Sequence, residues 1–221
     1  MEYKELLEYR KKLLSDLNNN PDDHESRIEL VCADCMICQE HVKDFGPAWK
    51  NTPYLEEIAT HCRSILMSVD NADVLYNVCS EADDCCYNHP RIKLKLMKLQ
   101  LELLPMLHNA DFDTEDETRH LAARIATYEH NILAADENRL NDIISDDTSA
   151  YPQKSDPIEW TLRYEQCIDE AEQTVDELLK DCRRGMGFCH LYWHTLTSVL
   201  RKDFGINWRD PSVMNPGTLY D

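Results

Sequence analysis

Apolar side chains recur at steps of three and four along nearly the whole chain, and that spacing makes a coherent face only when the backbone is wound as a helix. Leu6, Leu7, Arg10, Leu13, Leu14 and Leu17 share one side of a first predicted helix, from Tyr3 to Leu17. Asn18-Asn19-Asn20 ends it, because Asn favours turns and caps over helix interiors. Only 5 of the 221 residues are glycine, so tight turns and strand bulges are scarce and long helices joined by short loops are expected.

The remaining helices follow from the same spacing and from their caps. Pro21 opens a second helix, with Asp22, Asp23 and Glu25 complementing its positive end. It carries Ile28, Val31, Cys35, Cys38, Val42 and Phe45 in one stripe and stops at Gly46-Pro47. Thr52-Pro53 starts a third, with Leu55, Ile58, Cys62, Ile65 and Val69. Asp70-Asn71 breaks it and caps a fourth, with Leu75, Val78, Cys79, Ala82 and Cys86. Residues 92–103 nearly alternate apolar and polar, which is a strand pattern, but the alternation slips phase at Leu96-Met97. Wound as a helix they give two apolar faces, Ile92, Leu96, Leu99, Leu103 and Leu94, Met97, Leu101, Leu104, as suits a helix between two neighbours. A lone strand would leave its backbone groups unpaired, so helix is the reading, bent near Pro105.

Thr114-Glu115-Asp116-Glu117 reads as a capping box opening a long helix through Leu121, Ile125, Tyr128, Ile132 and Ala135 toward Ile144. Asp156-Pro157-Ile158-Glu159 reads as a second box, opening a helix with Trp160, Tyr164, Cys167, Ala171, Leu178 and Cys182 that ends at Gly185. A last helix runs from Gly187 to Phe204. The expected fold is all-α: about eight helices in a bundle or an array of antiparallel hairpins, within a single domain. A sub-boundary is placed in the loop 145–155, and an extended tail over 206–221.

Charge narrows the partners. The chain carries 23 basic and 42 acidic residues, for a net −19, which argues against phosphate contacts with nucleic acid and against anionic membranes. Between Asp111 and Asp181 lie 20 acidic and 6 basic residues. That segment is either a solvated face or a surface for a basic partner. The stretch from Pro90 to Ala110 is the reverse, with Arg91, Lys93, Lys95 and Lys98 against Glu102. The opening Met1-Glu2-Tyr3-Lys4-Glu5 is not the apolar run of a signal peptide, so a cytoplasmic chain with ten reduced thiols is expected.

Four constellations could hold a metal. Cys32, Cys35 and Cys38 form C-x-x-C-x-x-C, with His41 three residues on. On a helix Cys35 and Cys38 fall in the apolar stripe, Cys32 at its edge, and His41 points away, so these read as core packing. Cys85, Cys86 and His89 at a helix end could be half of a zinc site, but two buried thiols and a capping histidine are the simpler reading. Glu117-x-x-His120 is half of a di-metal carboxylate motif without its second copy. His190 and His194 share a helix face, yet the residue after the first is Leu191 rather than the Glu of a zincin. No metal ligand, cofactor or catalytic residue is assigned.

The segment that stands out by composition surrounds those last two histidines. Arg183 and Arg184 precede Gly185 and Gly187, and His190, Trp193 and His194 follow. Glycines beside a helix start let a ligand or another chain approach the backbone. Arg183, Arg184, Gly187, His190, Trp193 and His194 are therefore the candidate binding residues. The leading expectation is a non-enzymatic helical scaffold that binds another protein through a groove or its acidic face. The alternatives are a metal-binding helical enzyme, with ligands from His190, His194, Cys85, Cys86, His89 or Glu117, and an acidic mimic of nucleic acid. Oligomeric state is not legible.

Overall fold

The computed structural model describes residues 2–43, 46–65, 69–107, 113–144 and 153–220, and among them are nine α-helices and no strand. Packing divides the chain into two units, Met1–Ile125 and Ala126–Asp221. The division falls inside a helix; the loop 145–155 lies on its C-terminal side, and residues 145–152 are outside the described residues.

The first unit contains α1 (Tyr3–Asn19), α2 (His24–Val42), α3 (Thr52–Ile65), α4 (Ala72–Asp84), α5 (Pro90–Leu103) and the first half of α6 (Thr114–Asp136). At its centre, α2 packs against α1, α3 and α4. It buries far more than the single stripe expected. Leu30, Ala33 and Ile37 meet Leu6 and Leu13 of α1, while Cys35 on another face donates its thiol to the Val78 carbonyl of α4 at 3.8 Å. A helix with neighbours on three sides has little solvent face to give it an amphipathic period. It begins later than Pro21, because Asp23 is the cap and accepts from the Ser26 N–H at 3.1 Å. Phe45, expected in its stripe, lies outside the described residues. Gly46 tucks beneath the helix end, where an added Cβ would stand 2.1 Å from the His41 carbonyl oxygen, a distance that excludes any other residue.

Residues 90–103 form a helix, and Ile92, Leu96, Met97, Leu99 and Leu103 are buried. It contacts α3 and α4 and gives way to a 3-10 turn at Leu104–Met106, where Pro105 cannot continue the ladder. At the start of α6 the cap is Asp113, one residue before the expected Thr114: its carboxylate accepts the N–H groups of Glu115 at 2.9 Å and Asp116 at 3.3 Å. Glu117 accepts instead from the Tyr76 hydroxyl at 3.4 Å.

The second unit holds the rest of α6, α7 (Leu162–Leu178), α8 (Phe188–Asp203) and the one-turn α9 (Pro211–Met214). α6 stops at Asp136 rather than running to Ile144, with Asn138 left-handed at φ 57°. Fully buried Asn131 clasps the chain beyond that stop, giving Nδ2–H to the Ile144 carbonyl and taking the Ile144 N–H, each at 2.9 Å. The Asp156–Glu159 capping box forms, but on a 3-10 turn (Pro157–Trp160); α7 has its own cap in Thr161. Its stripe runs through Tyr164, Cys167, Ile168, Ala171 and Val175 against Leu196, Val199 and Leu200 of α8. Leu178 and Cys182, placed in that stripe from sequence, are exposed: Leu178 is the last residue of the helix and Cys182 lies beyond its end. No described helix is long and apolar enough to cross a membrane.

Candidate functional site

The tail after α8 does not hang free. Gly205 turns the chain at φ 66°, and Ile206 returns its N–H to the Leu200 carbonyl at 2.9 Å. Ile206 and Trp208 then enter the core of α7 and α8. The Trp208 indole N–H donates to Glu159 at 2.6 Å. Asp156, itself buried, accepts the Arg209 backbone N–H at 2.7 Å and its guanidinium at 3.0 and 3.1 Å. The capping box is thus also the latch for the tail. Burial pushes the Glu159 carboxyl up to about 7, against the pull of the Trp208 hydrogen bond. Asp210 caps α9, and the Asn215 side chain pairs with both backbone groups of Lys154, at 2.8 and 2.9 Å.

This path lays Tyr220 against α8. The Trp193 and Tyr220 rings meet edge to face at 4.9 Å, and His190 stands edge-on to both, at 5.6 and 6.4 Å. Edge-to-face placement directs the positive rim of one ring at the negative face of the next. The Tyr220 hydroxyl is held by the Pro211 carbonyl at 3.2 Å. His190, Leu191 and His194 are exposed on the same side of the helix, Leu191 at 44%. Met186, in the turn before it, is 92% exposed.

That turn places the remaining predicted residues. Gly187 is the N-cap of α8 at φ 79°, with open space where a Cβ would go; the left-handed backbone, not crowding, calls for glycine here. Arg184 pairs with Asp176 at 3.2 Å and lies over the Phe188 ring at 5.5 Å, so it braces the turn. Arg183 is exposed. The structure therefore brings His190 and Trp193 together, sets His194 beside them, assigns Arg184 a structural role, and adds Tyr220, which only its aromatic character could have suggested.

The acidic side chains of α7, one part of the acidic segment 111–181, divide between packing and solvent. Glu165 is buried and Asp169, Glu172 and Asp176 are half-buried; Glu172 bonds the Tyr192 hydroxyl of α8, and Asp176 meets Arg184 in the turn before it. Glu170 and Glu177 point to solvent.

The other constellations are consumed by packing. His41 is buried rather than turned away: its Nδ1–H donates to Asn51 at 2.8 Å and its Nε2 accepts the Tyr3 hydroxyl at 2.8 Å. Asn51 Oδ1 can only accept, which fixes that tautomer. Burial pushes the Cys35 and Cys38 thiols far up and Cys85 up to about 11, which disfavours the thiolate a metal needs. Cys86 donates to the His89 carbonyl at 3.5 Å, and His89 shares a 2.9 Å hydrogen bond with Thr52. His120 is exposed. Among the described residues no group of three or more His, Cys, Asp or Glu is arranged to hold a metal ion. No family model, curated protein or solved structure matches this chain.

Proposed function

We propose that this chain is a non-enzymatic helical protein of the cytoplasm that binds another protein through the exposed face of α8 and the tail seated on it. The observation that carries the reading is the His190–Trp193–Tyr220 cluster beside exposed Leu191 and His194. Trp and Tyr are favoured at interfaces because they offer large contact area with a polar tip and little entropy to lose. From Arg183 to Lys202 the sequence has four Arg or Lys, two His and no acidic residue, in a chain of net −19. The partner's contact segment therefore carries carboxylates around an apolar side chain, while the net −19 of the whole chain disfavours nucleic acid.

The test replaces Leu191 with Glu, which alters the face without touching the core. Native lysate is passed over the wild-type chain and over Leu191→Glu, and retained proteins are cross-linked and mapped. A partner cross-linked within 186–194 and released from the variant, with affinity down about tenfold or more, supports the reading. Identical capture by both proteins, or cross-links confined to the first unit, would overturn it.

A further inference from the structure

Asp34 lies in the middle of α2 with no exposed surface. Arg10 reaches it from α1, its Nε donating to Asp34 Oδ1 at 2.5 Å while Nη2 pairs with Glu57 of α3. Asp34 and Glu57 thus share one guanidinium, and Asp34 Oδ2 is buried with no hydrogen-bond partner among the described residues. One guanidinium balances only one of the two carboxylate charges, and of the two it is Asp34, not the 40% exposed Glu57, that has no water to turn to.

We propose that buried Asp34 holds a proton beneath the Arg10 guanidinium that it shares with Glu57, and that this proton makes the α1–α2–α3 seam a pH-sensitive joint. Carried on Asp34 Oδ2, it removes the charge that this oxygen would otherwise hold without a donor, and it reduces the cluster to one positive and one negative charge. The surrounding groups do not supply a second cation. From α3, Tyr54 lies under the guanidinium at 4.9 Å, and His61, one turn after Glu57, is driven toward its neutral form by burial. From α2, Cys38 is a buried neutral thiol, and Arg27 acts on His61 and bonds the Pro21 carbonyl. Burial, opposed by Arg10 and helped by Glu57, pushes the Asp34 carboxyl up to about 7.

The sign is the reverse of an ordinary aspartate salt bridge. Between the usual aspartate range and about 7 the folded chain binds a proton that the unfolded chain does not. Stability therefore rises as pH falls through that window, and is lost as pH rises, by up to about tenfold in the folded-to-unfolded ratio per pH unit.

The full chain, Asp34→Asn and Glu57→Gln are unfolded in urea from about pH 5.5 to about pH 8, and the Asp34 carboxyl is titrated by carbon-13 NMR. Glu159 contributes equally to all three proteins, so the difference between them isolates the cluster. The expected results are an Asp34 midpoint near 7 and a wild-type chain that loses stability with rising pH more steeply than Asp34→Asn, whose amide keeps a donor at every pH. The amide introduced by Glu57→Gln offers Asp34 an N–H, so this variant should lower that midpoint. Should Asp34→Asn fail to fold, the NMR titration and Glu57→Gln decide alone. An Asp34 that stays ionised throughout, or pH slopes identical in all folded proteins, would sink the proposal.

Discussion

Replacing Arg10 with methionine should destabilise the first unit by about 3–5 kcal/mol at about pH 8, where Asp34 is ionised in the wild-type chain, the cost of leaving a buried carboxylate without its counter-ion. Methionine suits the site sterically, because the arginine stem already lies in the stripe with Leu6 and Leu13, so the loss reports charge rather than a cavity. The cost should shrink on acidification, since a protonated Asp34 needs no cation. Adding Asp34→Leu to Arg10→Met should recover most of the loss, because removing both buried partners avoids the orphaned charge. Urea unfolding of the three proteins at two pH values tests this. A cost that is independent of pH, or an Arg10→Met protein as stable as wild type, would mean that the pair contributes nothing.

Asp156→Ala should destabilise the second unit by about 2–3 kcal/mol and loosen everything after Ile206. One carboxylate serves the Ile158 N–H, the Arg209 N–H and the Arg209 guanidinium. The guanidinium is 55% exposed, so screening leaves the two backbone N–H bonds as the main loss. Arg209→Ala should therefore cost much less. Because Asp156 holds the segment that delivers Tyr220 to α8, Asp156→Ala should also weaken the proposed partner binding even though it lies outside the proposed contact face. Limited proteolysis reads the tail directly, and a tail no more sensitive in Asp156→Ala than in wild type would show that the buried Ile206 and Trp208 hold it unaided.

Sequence reasoning succeeds where one helix face meets one neighbour and falters where a residue serves two elements. The α5 segment is legible because its two apolar faces can be drawn before either neighbour is known. α2 reads too narrowly from its spacing: its second buried face includes Asp34 and His41, whose polarity hides their burial. Arg10 is the available clue, since an arginine inside an apolar stripe implies a buried carboxylate, but no local spacing points to Asp34 or Glu57. The box at Asp156–Glu159 is visible as a cap and invisible as a latch, because Arg209 and Trp208 lie about fifty residues on. Composition singles out Arg183, Arg184, Gly187, His190, Trp193 and His194 as candidates, whereas the approach of Tyr220 to His190 and Trp193 requires the turn at Gly205 to be known.

The cysteines, counted so far as packing, also determine how the molecule can be observed. Seven of the ten are buried, Cys32 and Cys189 are partly covered, and Cys182 alone is exposed. It sits in the turn between α7 and α8, ahead of the helix that carries His190 and Trp193. A bulky maleimide dye thus meets one open thiol before any other, and the wild-type chain accepts a reporter next to its proposed contact surface without a cysteine being added or removed.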